Sequence, residues 1–374
     1  MPEFVHGLDL NRAFYREAVQ PLLDARFPDL GYAAALIGAG SDVLGYDTPR
    51  STDHEWGPRL LIILPDGSPS ELGIAIEDAL RAELPVAFWG YPTSFGPRDG
   101  QGVRLPVEGE VGHVAHHVDV WTLRAFTRSQ LGIEPGQPLR AVDWLAFPEQ
   151  LLLQVTGGEV FHDGQGGLTA VRERLRYYPH AVWLYLMAAQ WMRLAEIEPF
   201  VGRIAEAGDD LGSRLVTASL AHDLMKLSFL HVRQYAPYSK WFGTAFAQLP
   251  VAKALGPTLQ RALAAADWQA REEALLAAYT IVAERHNALG VTPPLDPHTS
   301  QFFGRPYRVL AAERFAEALV QAVEDEEVTE ILRAAGRMGA IDQISDSTDL
   351  LTRPAICRRV RALYEDDAAE RSER

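Results

Sequence analysis

The stretch "GAGSDVLGYDTPRSTDHEWGPRLLIIL" (38–64) decides how the first part of the chain is read. A Gly-Ser pair, Gly40-Ser41, precedes two acids, Asp53 and Glu55, that a single histidine separates, and a strongly apolar run follows. In an extended chain residues two apart point to the same face, so the spacing predicts the two carboxylates side by side. Such a pair repels itself and needs a compensating cation, which is a costly choice for a purely structural role. A third acid follows from the same period. In "HHVDVWTL" (116–123) His117, Asp119 and Trp121 share one strand face, while Val118 and Val120 take the other. One reading of Asp119 is an edge strand with a solvated face. The sharper reading is that Asp53, Glu55 and Asp119 converge on a pair of divalent cations. Oxygen-only ligands suit magnesium, and two such ions can hold the attacking and leaving oxygens of a phosphoryl displacement.

Around this stretch the pattern is mixed. "LNRAFYREAVQPLLDARFPDL" (10–30) and "ELGIAIEDALRAEL" (71–84) read as helices; "YAAALIG" (32–38), "RLLIILP" (59–65) and "HHVDVWTLRAF" (116–126) read as strands. "VAFWGYPTSFGPRDGQG" (86–102) reads as a strand running into a Gly-rich loop, either a mobile lid or an exposed connection. After residue 145 the pattern turns helical: 181–197, 214–236 and 270–290 are long, apolar at three-to-four spacing, and the last ends at Gly290, a C-cap signal. The expected fold is therefore α+β, with a catalytic-looking domain over 1–145 and a helical domain over 146–374. No internal repeat is evident.

Composition narrows the function. The formal charge of −15 argues against a surface that grips nucleic acid. One cysteine, Cys357, excludes a disulfide framework or a cysteine-based zinc site within one chain. The opening "MPEFVHGLDLNRAFY" lacks a basic start and apolar run, and no uninterrupted apolar stretch is long enough to span a bilayer. A cytoplasmic location without a membrane partner is expected. The end, "YEDDAAERSER" (364–374), reads as a frayed tail.

With these residues in place, the first third of the chain resembles the DNA polymerase beta-type nucleotidyltransferase superfamily. There a Gly-Ser pair begins a helix, an acid-x-acid pair follows on a strand, and a third acid lies on a neighbouring strand. The matching positions are Gly40 and Ser41, Asp53 and Glu55, and Asp119. The resemblance implies an N-terminal nucleotidyltransferase fold with a mixed sheet, a Gly-Ser turn that holds a nucleoside triphosphate, and acids that hold magnesium, with manganese as the substitute. The helical remainder more loosely resembles the C-terminal domains of small-molecule nucleotidyltransferases. The implied activity is transfer of a nucleoside monophosphate, AMP from ATP or the equivalent from another triphosphate, to a hydroxyl of a small-molecule acceptor. The alternatives are a nucleotide-binding regulatory protein without turnover and an RNA-end modifier. Two departures stand out: His54 lies where the family has an apolar residue, and Gly57-Pro58 interrupts the strand behind the acids.

Elsewhere, His222, Lys226, Phe229 and Arg233 fall on one helical stripe, from which Lys226 and Arg233 are expected to reach a triphosphate. A routine Asp223–Lys226 pair on a solvated face is the structural alternative. Tyr235, Tyr238, Lys240 and Trp241 offer either base stacking or aromatic packing. His222-Asp223 lacks the further ligands of a metal phosphohydrolase. "HVAHH" (113–117) lacks a conventionally spaced zinc set, which leaves its histidines supporting roles.

Overall fold

The computed structural model of the chain describes residues 2–100 and 102–365, so the tail read as frayed lies from residue 366 onward outside the described residues. The fold is α+β, with a mixed four-stranded sheet in the N-terminal part and a helical C-terminal region. Its contacts divide it into two units. The first combines Met1–Pro138 with Leu151–Arg176, and the second combines Leu139–Gln150 with Tyr177–Arg374. The boundary expected at 145 is thus not a single cut. Glu159–Asp163 forms a strand on the edge of the N-terminal sheet, which keeps its flanking residues with the first unit.

In the first unit the strands are β1 (Ala33–Leu36), β2 (Arg59–Leu64), β3 (His117–Thr122) and β4 (Glu159–Asp163), in the order β3-β2-β1-β4. β1 runs antiparallel to both neighbours, whereas β2 and β3 are parallel, with Arg59 opposite His117 and Leu61 opposite Asp119. That parallel pair needs a crossover, and α2 (Ser70–Glu83), which buries Ile76 and Leu80, supplies it. α1 (Gly7–Phe14) continues through a π-helical turn at Tyr15–Val19 into Gln20–Arg26. Its Leu10, Phe14, Val19 and Leu23 pack with Leu60, Ile62 and Val118 in one apolar core. Each such side chain stabilises the unit by about 1.5–3 kcal/mol on burial. β3 stops at Thr122, whose hydroxyl accepts the Ala125 N–H at 3.2 Å and starts α3 (Leu123–Leu131). Gly132 then takes φ +69° and ends it. The Gly-rich segment after residue 86 folds into two short ladders, Ala87–Phe88 with Tyr91–Pro92 and Ser94–Phe95 with Pro106–Val107.

The second unit packs α4 (His180–Ile197), α5 (Asp210–His231), α6 (Ala252–Ala264), α7 (Trp268–Ala288) and α8 (Glu313–Gln321). Asp209 and Asp267 cap α5 and α7 by accepting the Gly212 and Ala270 N–H groups at 2.7 and 2.9 Å. Gly290, at φ +65°, follows the end of α7 as the sequence predicts. At the centre Trp191 stacks on Phe315 with centroids 4.4 Å apart and donates its indole N–H to His286 Nδ1 at 3.2 Å. No helix among the described residues is long and apolar enough to cross a membrane.

Candidate active site

The candidate site gathers at the amino ends of β2 and β3, where Arg59 and His117 are register partners. The segment that carries the acid pair is not the strand the period-two spacing predicts. Pro49–Asp53 is a 3-10 turn capped by Thr48, and β2 begins only at Arg59, beyond Gly57-Pro58. Asp53 turns outward, 67% exposed, and pairs with His54 Nδ1 at 2.8 Å. Glu55 turns inward at φ +47°, an uncommon conformation for a residue with a side chain. Four interactions hold it there. Its N–H donates to the Arg104 carbonyl at 2.9 Å, and its Oε1 accepts from Arg104 N at 2.9 Å and Arg98 Nη1 at 3.0 Å. Its Oε2 lies 3.4 Å from His117 Nε2. Arg104 in turn donates to the carbonyls of Phe95 and Gly96 at 3.3 and 3.1 Å, so the loop that grips Glu55 is itself tied down.

Asp119 arrives on β3, on the face shared with His117 as expected, and its Oδ2 is 3.9 Å from the same His117 Nε2. His117 is 6% exposed, with the Phe95 ring edge-on at 4.9 Å. Burial first, then Arg59, Arg104, Arg98 and His116, push its pKa down to about 3, so the ring is neutral near pH 7. Burial alone would lower the Arg59 pKa, but Asp42, Glu55 and Asp119 together raise it.

Arg59 also reaches the Gly-Ser segment. It donates from Nη2 to Asp42 Oδ1 at 2.7 Å, from Nε to Asp42 Oδ2 at 3.1 Å, and from Nη2 to the Ala39 carbonyl at 2.9 Å. Gly40 and Ser41 lie in the resulting run of turns, not at a helix start; Tyr46 N–H closes it onto the Ser41 carbonyl at 2.8 Å. Gly40 takes φ +141°, and a Cβ there would collide with Asp42 and Arg59. Asp47, farther along, accepts from Gly7 N at 2.7 Å and Trp56 Nε1 at 3.0 Å. The sequence reading missed Asp42, Asp47, Arg59, Arg98 and Arg104. Only Arg59, a cation opening an apolar strand, carried a local signal.

The three acids therefore do not form one group. Among the described residues no three His, Cys, Asp or Glu side chains stand close enough together to hold a metal ion. Glu55 and Asp119 face a common imidazole, whereas Asp53 faces away from it. As placed, this set does not make the three-carboxylate site that the resemblance implies.

In the helical unit Lys226 and Arg233 are separated. α5 ends at His231, so Arg233 is not on the expected stripe; it sits at φ +53° with its guanidinium carbon 3.9 Å from the Trp183 ring centroid. Phe229 is buried, so the stripe is no solvated face. Lys226 Nζ lies 3.5 Å from Glu149 Oε2 in a small pocket lined also by Tyr178, Gln190 and Asp342. Glu149 N–H donates to Asp342 Oδ2 at 2.9 Å. Asp223 serves Gln190 and Arg193 at 3.0 and 3.3 Å rather than Lys226, and His222 packs against the Phe242 ring. Tyr235 is buried, tilted against Tyr177 and edge-on to Tyr178, and Lys240 lies over Trp241.

One pH prediction follows from this cluster. Burial and the Glu149 charge push the Asp342 carboxyl up to about 7, although Lys226 opposes them. The folded protein then holds a proton that the unfolded chain has lost, so stability falls as pH rises from the ordinary aspartate range to about 7. The slope is at most about 1.4 kcal/mol per pH unit for one such group. Asp342→Asn removes this component, which urea unfolding of parent and variant between pH 4.5 and 8 will show as a flatter profile.

Residues 144–242 match a family model described as a domain of unknown function, DUF4037. No curated protein sequence matches the chain. A crystal structure of a nucleotidyltransferase-like protein from Exiguobacterium sibiricum 255-15 is similar over 76% of this chain and 77% of that one, at 14% identity and a TM-score of 0.33. At that level the likeness carries no argument about activity.

Proposed function

We propose that the chain is a nucleotidyltransferase that moves a nucleoside monophosphate, AMP from ATP, to a hydroxyl of a small-molecule acceptor. The supporting observation is the approach of Glu55 and Asp119 to one buried imidazole, beside Arg59, 12% exposed, which also fixes the Gly40-Ser41 turn. A residue held at positive φ by several partners is the kind of local strain that clusters at functional sites. In this reading the Gly40 backbone and the Ser41 hydroxyl hold phosphate oxygens. The acceptor oxygen attacks the α-phosphorus, the bond from that phosphorus to the bridging oxygen breaks, and pyrophosphate leaves. Asp119, 44% exposed and so reachable by an acceptor, takes the hydroxyl proton. Magnesium or manganese would accompany the triphosphate as its counter-ion.

A second reading, a nucleotide-binding regulatory protein without turnover, is favoured by the outward position of Asp53. Incubation with ATP, magnesium and a panel of hydroxylated metabolites and antibiotics, read as pyrophosphate release, separates the two. Transfer predicts release with at least one acceptor and its loss in Glu55→Gln. ATP binding without release across the panel supports the regulatory reading, and absence of both contradicts each.

A further inference from the structure

We propose that His117, together with Arg98 and Arg104, is a positioning device for Glu55, acting by presenting its Nε2–H to Glu55 Oε2, with Asp119 next beyond it. The inference rests on the nucleotidyltransferase reading for its purpose, but its geometry stands alone. Glu55 belongs to an irregular segment and sits at φ +47°, so its own backbone does not favour the inward pose. Such a conformation persists only where the surroundings over-determine it. The loop supplies three of the contacts: the Arg104 carbonyl, the Arg104 N–H and the Arg98 guanidinium. His117 supplies the fourth, and it alone comes from the sheet.

The arrangement of the ring fixes the direction of the interaction. His117 Nδ1 is buried without a hydrogen-bond partner, while Nε2 faces Glu55 Oε2 at 3.4 Å and Asp119 Oδ2 at 3.9 Å. A proton on Nδ1 would be a buried donor with nothing to receive it, and Nε2 would then set a lone pair against two carboxylates. The proton therefore belongs on Nε2, where it faces Glu55, two residues beyond the 3-10 turn, and Asp119 on β3. His117 touches no substrate in this account. It links the loop that carries Glu55 to the strand that carries Asp119, so that the two acids keep one spacing.

Two substitutions separate this role from packing. Glutamine places an N–H donor near the Nε2 position, whereas phenylalanine keeps the ring against Phe95 and removes the donor. Hydrogen exchange at the Glu55 amide, which donates to the Arg104 carbonyl, reports the clamp without reference to activity. The expected result is exchange at least ~10-fold faster in His117→Phe and within about threefold of the parent in His117→Gln. ATP affinity, measured with magnesium on the same proteins, should follow the same order. Unchanged Glu55 exchange in His117→Phe would overturn the proposal, as would a His117→Gln protein that exchanges as fast as His117→Phe. If the parent binds no ATP, the nucleotidyltransferase reading falls, and the exchange result still decides the clamp.

Discussion

Replacing Arg59 with methionine is expected to destabilise the N-terminal unit by about 3–5 kcal/mol. Methionine keeps much of the buried length and removes the charge together with the N–H donors. What remains is the Asp42 carboxylate, 2% exposed, without the guanidinium that pairs with it through two nitrogens. A lone buried carboxylate is costly because the Coulomb partner is lost while the desolvation penalty stays. The Ala39 carbonyl loses its donor in the same step, so the Gly40-Ser41 turn loosens along with β2. Urea unfolding measures the loss as a lower midpoint. Asp42→Asn on top of Arg59→Met should recover part of it, since the stranded charge is then gone. A single variant that unfolds like the parent would show that Asp42 is not an uncompensated buried charge.

Asp119→Asn is expected to lower turnover by ~10²-fold or more while ATP affinity stays near normal. Asparagine keeps the shape on β3, but it cannot take a proton from an acceptor hydroxyl. Glu55, gripped by Arg98, Arg104 and His117, has less freedom to do that work; Asp119, in contact with His117 alone among these, is open to an incoming acceptor. The measurement is pyrophosphate release with an acceptor found in the panel, compared with ATP affinity on the same protein. Equal turnover in parent and variant, or loss of ATP binding in the variant, would reverse the roles given to the two acids.

The long helices were legible because their apolar period extends over many turns. α4 and α7 fall where the pattern places them, α5 overlaps its expected range but starts and ends earlier in the chain, and β2 follows directly from "RLLIIL". The acid segment was misread because spacing two apart is a strand signal only if the backbone is extended. Pro49 and Gly57-Pro58 bracket the acids, and proline and glycine are poor strand residues. That signal was present and pointed to a turn. β4 was not legible from composition, since "EVFHD" is short, half-buried and polar at both ends, and only its partner β1 makes it a strand. The Arg59–Asp42 pair joins residues distant in sequence, and the Arg98 and Arg104 contacts to Glu55 cross β2, α2 and the first short ladder. Such pairings are decided by tertiary packing. Arg233 was assigned to a helical stripe because nothing in "LHVRQYAP" breaks the helix before Pro237, yet α5 stops at His231.

The most direct test of the central claim is calorimetric titration of the parent and Asp53→Asn with ATP, with and without magnesium. The account predicts binding that requires magnesium or manganese and stays near parent strength in Asp53→Asn, whose carboxylate faces away from the site. Equal affinity with and without the metal, or no binding under either condition, would contradict it.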